Sequence, residues 1–340
     1  MYNVVKIQGI KRGVNRMSWN LQAAEMKNPY IMEDDIWKSI HYFFYHSKTK
    51  TTYKYGFFKA LLDNVANAND EKEISFENLF YSFSKIYWNL VVHYQLWQSN
   101  TRSQISSVQK VIEAFQQEHN IPTEWNFDQL SSELQQDLIR EVKKRGKKYV
   151  IGALYGDFNG DIYTFDLKKE YLKLNLKYYH FFHTYKRILT NVTNYQLALF
   201  LEKFNEVEKV NQLLLKVEFV TKRQSLKEFA LLLQQAGIHH CFYCNKPIKK
   251  NVHVDHFIPW SYIQNDQLWN FVLSCPTCNT SKNNKLPIEK YLEGIIQQNE
   301  ALRVKENLRD YFVNYNNEKL KTLYQYSERN GFRKEWEPRV

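Results

Sequence analysis

Cys241-Phe242-Tyr243-Cys244 and Cys275-Pro276-Thr277-Cys278-Asn279-Thr280-Ser281-Lys282 bracket a short stretch that contains Val254-Asp255-His256-Phe257-Ile258-Pro259. Each C-x-x-C places two thiols on one tight turn. Two such turns complete a closed tetrahedral set of four sulfurs, the arrangement typical of structural zinc. All four cysteines of the chain fall in this pattern, which argues against two unrelated buried pairs. A redox dithiol also fits poorly, because the two motifs flank a different set of reactive residues. A disulfide framework would spread the cysteines and come with a secretory leader, yet Met1-Tyr2-Asn3-Val4-Val5-Lys6 lacks the apolar run of one. Cys241, Cys244, Cys275 and Cys278 are therefore expected to hold Zn²⁺ in a reducing, cytoplasmic setting.

Outward from this segment, composition sets the broad class. The chain has 340 residues, 44% of them hydrophobic, enough for a sizeable core and about two domains. Only 10 Gly and 7 Pro occur, so long loops should be few. The net charge of +11 points to a polyanionic partner, with DNA first and RNA second. A lysine-rich surface that only keeps the chain soluble is the plain alternative. The most apolar long stretch, Leu79–Trp97, is interrupted by Lys85, Asn89, His93 and Gln95, so no membrane partner is expected.

Most of the chain has helical periodicity. Residues 1–30 read as a loosely held arm. Asp34 and Asp35 offer caps for a helix over Ile36–Tyr45, and a second runs Tyr53–Ala66. Ser75 can cap a long helix from Phe76 to about Gln98. Further helices are predicted at 104–119, 128–145, 169–187 and 193–216. Val150–Tyr155 and Asp161–Phe165 flank Asp157-Phe158-Asn159-Gly160, which predicts a hairpin on its Asn-Gly turn. Ser225-Leu226-Lys227-Glu228 is a capping box, Gly237 fits the position that ends its helix, and Pro287 can open another. The boundary near 221–224 divides the chain into residues 1–220, 221–290 and 291–340. The expected fold class is mainly α: a large helical N-terminal domain with one β-hairpin, a small module stapled by the four-cysteine site, and C-terminal helices.

Between and just after the cysteine turns come Asp255-His256, then Asn270, then Asn279 with Lys282 three residues on. In this order, with both knuckles, the segment resembles the HNH (ββα-metal) endonucleases of the zinc-knuckle type, including phage resolvases and the HNH domains of CRISPR effector nucleases. The resemblance covers roughly residues 238–290. It implies a ββα module that hydrolyses phosphodiester bonds.

Each residue then has a chemical reason. A neutral imidazole takes a proton from water near pH 7, so His256 is the candidate general base. The carboxylate of Asp255 and the amide oxygen of Asn279 suit one hard divalent cation, Mg²⁺ or Mn²⁺, and in the family these positions bind it. Asn270 matches the middle Asn, which braces the loop between the strands. Alternation along Val252–Ile258 sends Asp255 and His256 to opposite faces of a strand, so the two have different jobs. Lys282 and Lys285 are expected to contact phosphates. His253 shares strand parity with Asp255 and is either a support behind the cation site or a surface histidine. Two departures from the common pattern stand out. The last member is Asn rather than His, and Tyr262–Gln267 lacks the Gly-Gly often found before the middle Asn.

The resemblance implies an endonuclease acting on DNA, in the company of bacterial restriction and anti-phage proteins. Homing or recombination nucleases are the alternative role, and a catalytically silent nucleic-acid-binding or partner-binding scaffold is the alternative class. A regulatory partner such as an ATPase, or a second copy of the chain, is the expected protein partner. Residues 1–220 would engage DNA, sense a signal or bind such a partner. Within them Lys143, Lys144, Lys147 and Lys148 form a dense cluster suited to phosphates. A second basic stretch, Lys168–Arg187, interleaves with Tyr171, Tyr178, Tyr179, Phe181 and Phe182, either as a stacking surface or as an amphipathic helix with its aromatics in the core. Reversing the charge of Lys143, Lys144, Lys147 and Lys148 is expected to weaken DNA binding and flatten its salt dependence. Fluorescence anisotropy across a salt series measures both.

Overall fold

The computed structural model describes residues 21–221, 225–248 and 251–338. The first twenty residues of the expected arm and most of the 221–224 boundary lie outside them. The described elements run β1 (Ala23–Ala24), α1 (Glu33–Tyr45), α2 (Tyr53–Asn64), β2 (Glu73–Ser75), α3 (Phe76–Trp88), α4 (Ser107–Glu118), α5 (Ser132–Asp157), β3 (Tyr163–Asp166), β4 (Tyr171–Leu174), α6 (Leu176–Phe204) and α7 (Leu213–Phe219). They continue with α8 (Lys227–Gln235), β5 (His253–His256), α9 (Trp260–Ile263), β6 (Phe271–Ser274), α10 (Pro276–Lys282), β7 (Leu286–Pro287), α11 (Lys290–Arg303), α12 (Asn317–Arg329) and β8 (Lys334–Trp336). The fold is mainly α. No helix among the described residues is long and apolar enough to cross a membrane.

Apolar side chains from Ile31 to Val220 form one hydrophobic cluster. At its centre lies α2, buried on almost every side. Gly56 lets α3 approach closely, because a Cβ there would meet the Tyr87 ring. A second cluster, made of Ala66 and side chains from Leu226 to Trp336, joins α8, the β5–β6 pair, α11 and α12.

Several local expectations change. The Asn-Gly turn caps a helix rather than closing a hairpin. Gly160 N–H donates to the Tyr155 carbonyl at 2.8 Å, with Asn159 and Gly160 at φ 54° and 83°. Val142, Gly146, Val150, Ile151 and Leu154 continue one buried helical stripe, so 150–155 stays in α5. The strand after the turn, β3, pairs instead with β4 in an antiparallel sheet of order β1-β3-β4-β2. Part of the expected arm is thereby tied down, Ala23 opposite Asp166. The helix expected from 169 starts only at Leu176, after the alternating strand Tyr171–Leu174, and Asn175 caps it. Ser225 makes no capping box: α8 begins at Lys227 behind Leu226, which is drawn into the core. Gly237 does follow that helix, at φ 95°. Pro287 lies in β7, parallel to β8, and α11 opens three residues later.

A polar seam on α6 joins the two clusters. The ring of His183 and the Tyr262 hydroxyl are 3.2 Å apart, His183 O accepts from Asn330 Nδ2 at 2.8 Å, and Lys186 Nζ donates to Ile263 O at 2.9 Å. Burial pushes the Lys186 ammonium down to about 8, against the pull of Asp63. The unfolded chain keeps that proton up to its ordinary value of 10.5. Between these two pH values the unfolded state binds more protons, so stability rises with pH by up to about 1.4 kcal/mol per unit. Lys186→Met removes this contribution. Urea unfolding at pH 8 and pH 10 should show a smaller gain in the variant than in the wild type.

Candidate nuclease site

Strands β5 and β6 form an antiparallel pair with Asp255 opposite Val272 and His256 opposite Phe271. Asn270 fixes the loop between them. Its Oδ1 accepts from Ile258 N at 2.8 Å and its Nδ2 donates to Ile258 O at 2.9 Å. The side chain is fully buried, so both halves of the amide need these partners. Helix α10 packs across the pair. Pro276 occupies its first turn, where a missing N–H costs nothing, and Cys275 caps it.

The four cysteine sulfurs lie within 4.8 Å of one another, and Cys244 and Cys275 are 3.9 Å apart. A tetrahedron with sulfur at about 2.3 Å from zinc has edges near 3.8 Å, so the spacing fits a zinc site built from four thiolates. None of the four forms a disulfide. Burial pushes the Cys241 and Cys278 thiols up, so gathering four thiolates calls for a cation.

Asp255, His256 and Asn279 line one cleft of about 380 Å³, together with Trp260, Thr280 and Asn283. Asp255 Oδ2 accepts from the Tyr243 hydroxyl at 2.6 Å and pairs with Lys282 Nζ at 3.0 Å. Burial, then the charge of Asp255, holds the Tyr243 phenol far above its usual range, so it remains a donor. Lys282 Nζ also donates to His256 O at 2.7 Å. Lys282 is wholly buried, so its ammonium supports β5 from inside rather than meeting phosphate as expected. Burial lowers its proton affinity and the Asp255 carboxylate raises it. Asn279 Nδ2 lies 3.0 Å from His253 Nδ1, which orients the amide and leaves its oxygen on the opposite side. His253 is thus a support for Asn279. His256 Nε2 lies 2.8 Å from Asp266 Oδ1, and its ring meets Phe271 edge to face at 4.7 Å.

Sequence reasoning missed Tyr243 and Asp266. Asp266 is the only acid between His256 and Asn270. It sits in the stretch marked by its lack of Gly-Gly, which was the available signal. Tyr243 lies inside the first knuckle and gives no signal of its own.

The basic stretches divide. Lys143 and Lys147 both pair with Glu170, at 2.7 and 2.6 Å. Lys144 and Lys148 are exposed, as is Lys285 beyond α10. Tyr178, Phe181 and Phe182 are buried, so the second stretch is core rather than a stacking surface.

Residues 241–288 match the family model described as HNH endonuclease. The paired strands, the helix and the four-cysteine set are the parts of such a domain, a class that acts on nucleic acids with divalent metal. Comparisons with curated proteins and with solved structures returned no match.

Metal analysis of the purified chain should find one zinc per molecule. Cys275→Ser should lose it and destabilise the module by several kcal/mol, on the scale of structural zinc binding. Cobalt in its place should give the absorption of a tetrahedral tetrathiolate. A wild-type protein that holds no zinc and unfolds like the variant contradicts the assignment.

Proposed function

We propose that the chain is a divalent-metal-dependent endonuclease that hydrolyses phosphodiester bonds in DNA, with Asp255, His256 and Asn279 as its reacting set. The observation that carries the reading is their meeting on one cleft, each oriented by a separate partner. Asp255 Oδ2 is committed to Tyr243 and Lys282, so Oδ1 and the Asn279 amide oxygen are the donors for a cation. Both are hard oxygens, which fits Mg²⁺ or Mn²⁺. Bound there, such an ion stabilises charge on the scissile phosphate and its leaving oxygen.

His256 takes the proton of the attacking water. Asp266 holds the ring in place and stabilises the imidazolium that forms, as a carboxylate beside a general-base histidine does elsewhere. Asn270 keeps the backbone of this loop fixed. Lys285, Lys144 and Lys148 supply exposed positive charge for the duplex, consistent with the net charge of +11. Products with 5′-phosphate and 3′-hydroxyl ends follow from the family chemistry. The setting we infer is restriction or anti-phage defence, and it rests on the family resemblance alone.

In a nicking assay with Mg²⁺ or Mn²⁺, the wild type should cut plasmid DNA and EDTA should stop it. His256→Ala, Asp255→Ala and Asn279→Ala should each lower the rate at least about 100-fold while zinc content and folding persist. Asp266→Asn should lower kcat about 10-fold or more with KM little changed, and Asp266→Glu should restore part of it. Full cutting by His256→Ala sinks the assignment. A faster Asp266→Asn enzyme removes Asp266 from the machinery.

A further inference from the structure

A second cavity, of about 250 Å³, lies where the helical region meets the nuclease module, and Trp260 lines both it and the catalytic cleft. Asp266, the partner of His256, also lines it. At its wall stands Asp63 of α2, 2% exposed, with neither carboxylate oxygen hydrogen-bonded. Gln264 Oε1 is a third buried acceptor there without a partner. Burial pushes the Asp63 carboxyl up, while Lys59, Lys186 and Lys85 pull it down. A buried carboxylate lacking donors is costly unless a ligand supplies them.

A ligand that satisfies both Asp63 oxygens brings two adjacent N–H donors and no strong positive charge. A divalent ion or a guanidinium would be repelled by the three lysines. Tyr81, Phe229 and Trp260 line the same space and offer ring faces for stacking. Among nucleobases only guanine carries two neighbouring donors, N1–H and N2–H, on its pairing edge; adenine offers one donor beside one acceptor, cytosine one donor beside two acceptors, and thymine one donor between two acceptors. The volume, just below that of a drug-sized site, suits a single base.

We propose that this cavity receives a guanine base, held through N1–H and N2–H by the two Asp63 oxygens, with Gln264 Oε1 taking the second N2 hydrogen. Two sources share this chemistry: a base turned out of the substrate strand beside the cleft, and a free guanine nucleotide. The first rests on the nuclease reading above; the pocket itself does not.

Isothermal titration calorimetry on the full chain tests it with three nucleosides. Guanosine should bind at least about 10-fold more tightly than inosine, which lacks the N2 amine. Asp63→Asn should reverse the preference toward xanthosine, whose O2 accepts from the new amide; misfolding cannot produce that gain. Gln264→Asn, tolerated at φ 56°, should keep the fold and weaken guanosine binding. Equal binding of guanosine and inosine, or binding of neither, overturns the proposal. Sequencing the ends of cleaved DNA separates the sources. A guanine at a fixed offset from the cut, lost in Asp63→Asn, places the base in the strand. Guanosine binding without such an offset assigns the pocket to a free nucleotide. A wild type that never cuts refutes the nuclease reading and leaves the calorimetry unaffected.

Discussion

The buried Lys282 ammonium, held between the Asp255 carboxylate and the His256 carbonyl, is the contact on which the nuclease module depends. A charge without solvent survives only where a counter-charge and a carbonyl meet it. Here both belong to β5, while the lysine belongs to α10. The bond therefore sets the distance between the strand that carries Asp255 and the helix that carries Asn279. It also commits Asp255 Oδ2, so a cation held in the proposed way would find only Oδ1 of this carboxylate.

Much of this module was legible in the chain because its chemistry is local. Two C-x-x-C turns can do few things, and Asp-His followed by Asn and Asn in order can do fewer. What stayed hidden depends on direction rather than identity. A lysine three residues after Asn279 looks like a phosphate contact until the helix is seen to point it inward. Asp266 is an ordinary loop acid until the loop folds back on His256. Outside the module, the Asn-Gly turn misled for a related reason. The same left-handed residues close a hairpin or end a helix. The choice was made by the buried stripe running from Leu138 to Leu154. The capping box at Ser225 lost in the same way, since burying Leu226 outweighed one local hydrogen bond.

The helical region is tied to the module by polar groups that rarely survive burial. His183, Lys186 and Asn330 form a seam in which most groups find partners across the two clusters. Apolar packing alone would hold the halves in many registers. Directional bonds from α6 to α9 and to the end of α12 select one of them, at some cost in stability. The loop that carries Asp266 follows α9 directly, so its position reflects that choice.

Helix α10 is only seven residues long. Cys278 faces the sulfur cluster, Asn279 the cleft, and Lys282 the buried pair. In a helix each residue added turns everything after it by about 100°. A single insertion after Cys278 would swing Asn279 off the cleft and drive Lys282 toward solvent, even with all four sulfurs in place. Chain length is consequently frozen along this one helix. Connections outside the regular elements have no such phase to keep, and they are where this architecture can lengthen.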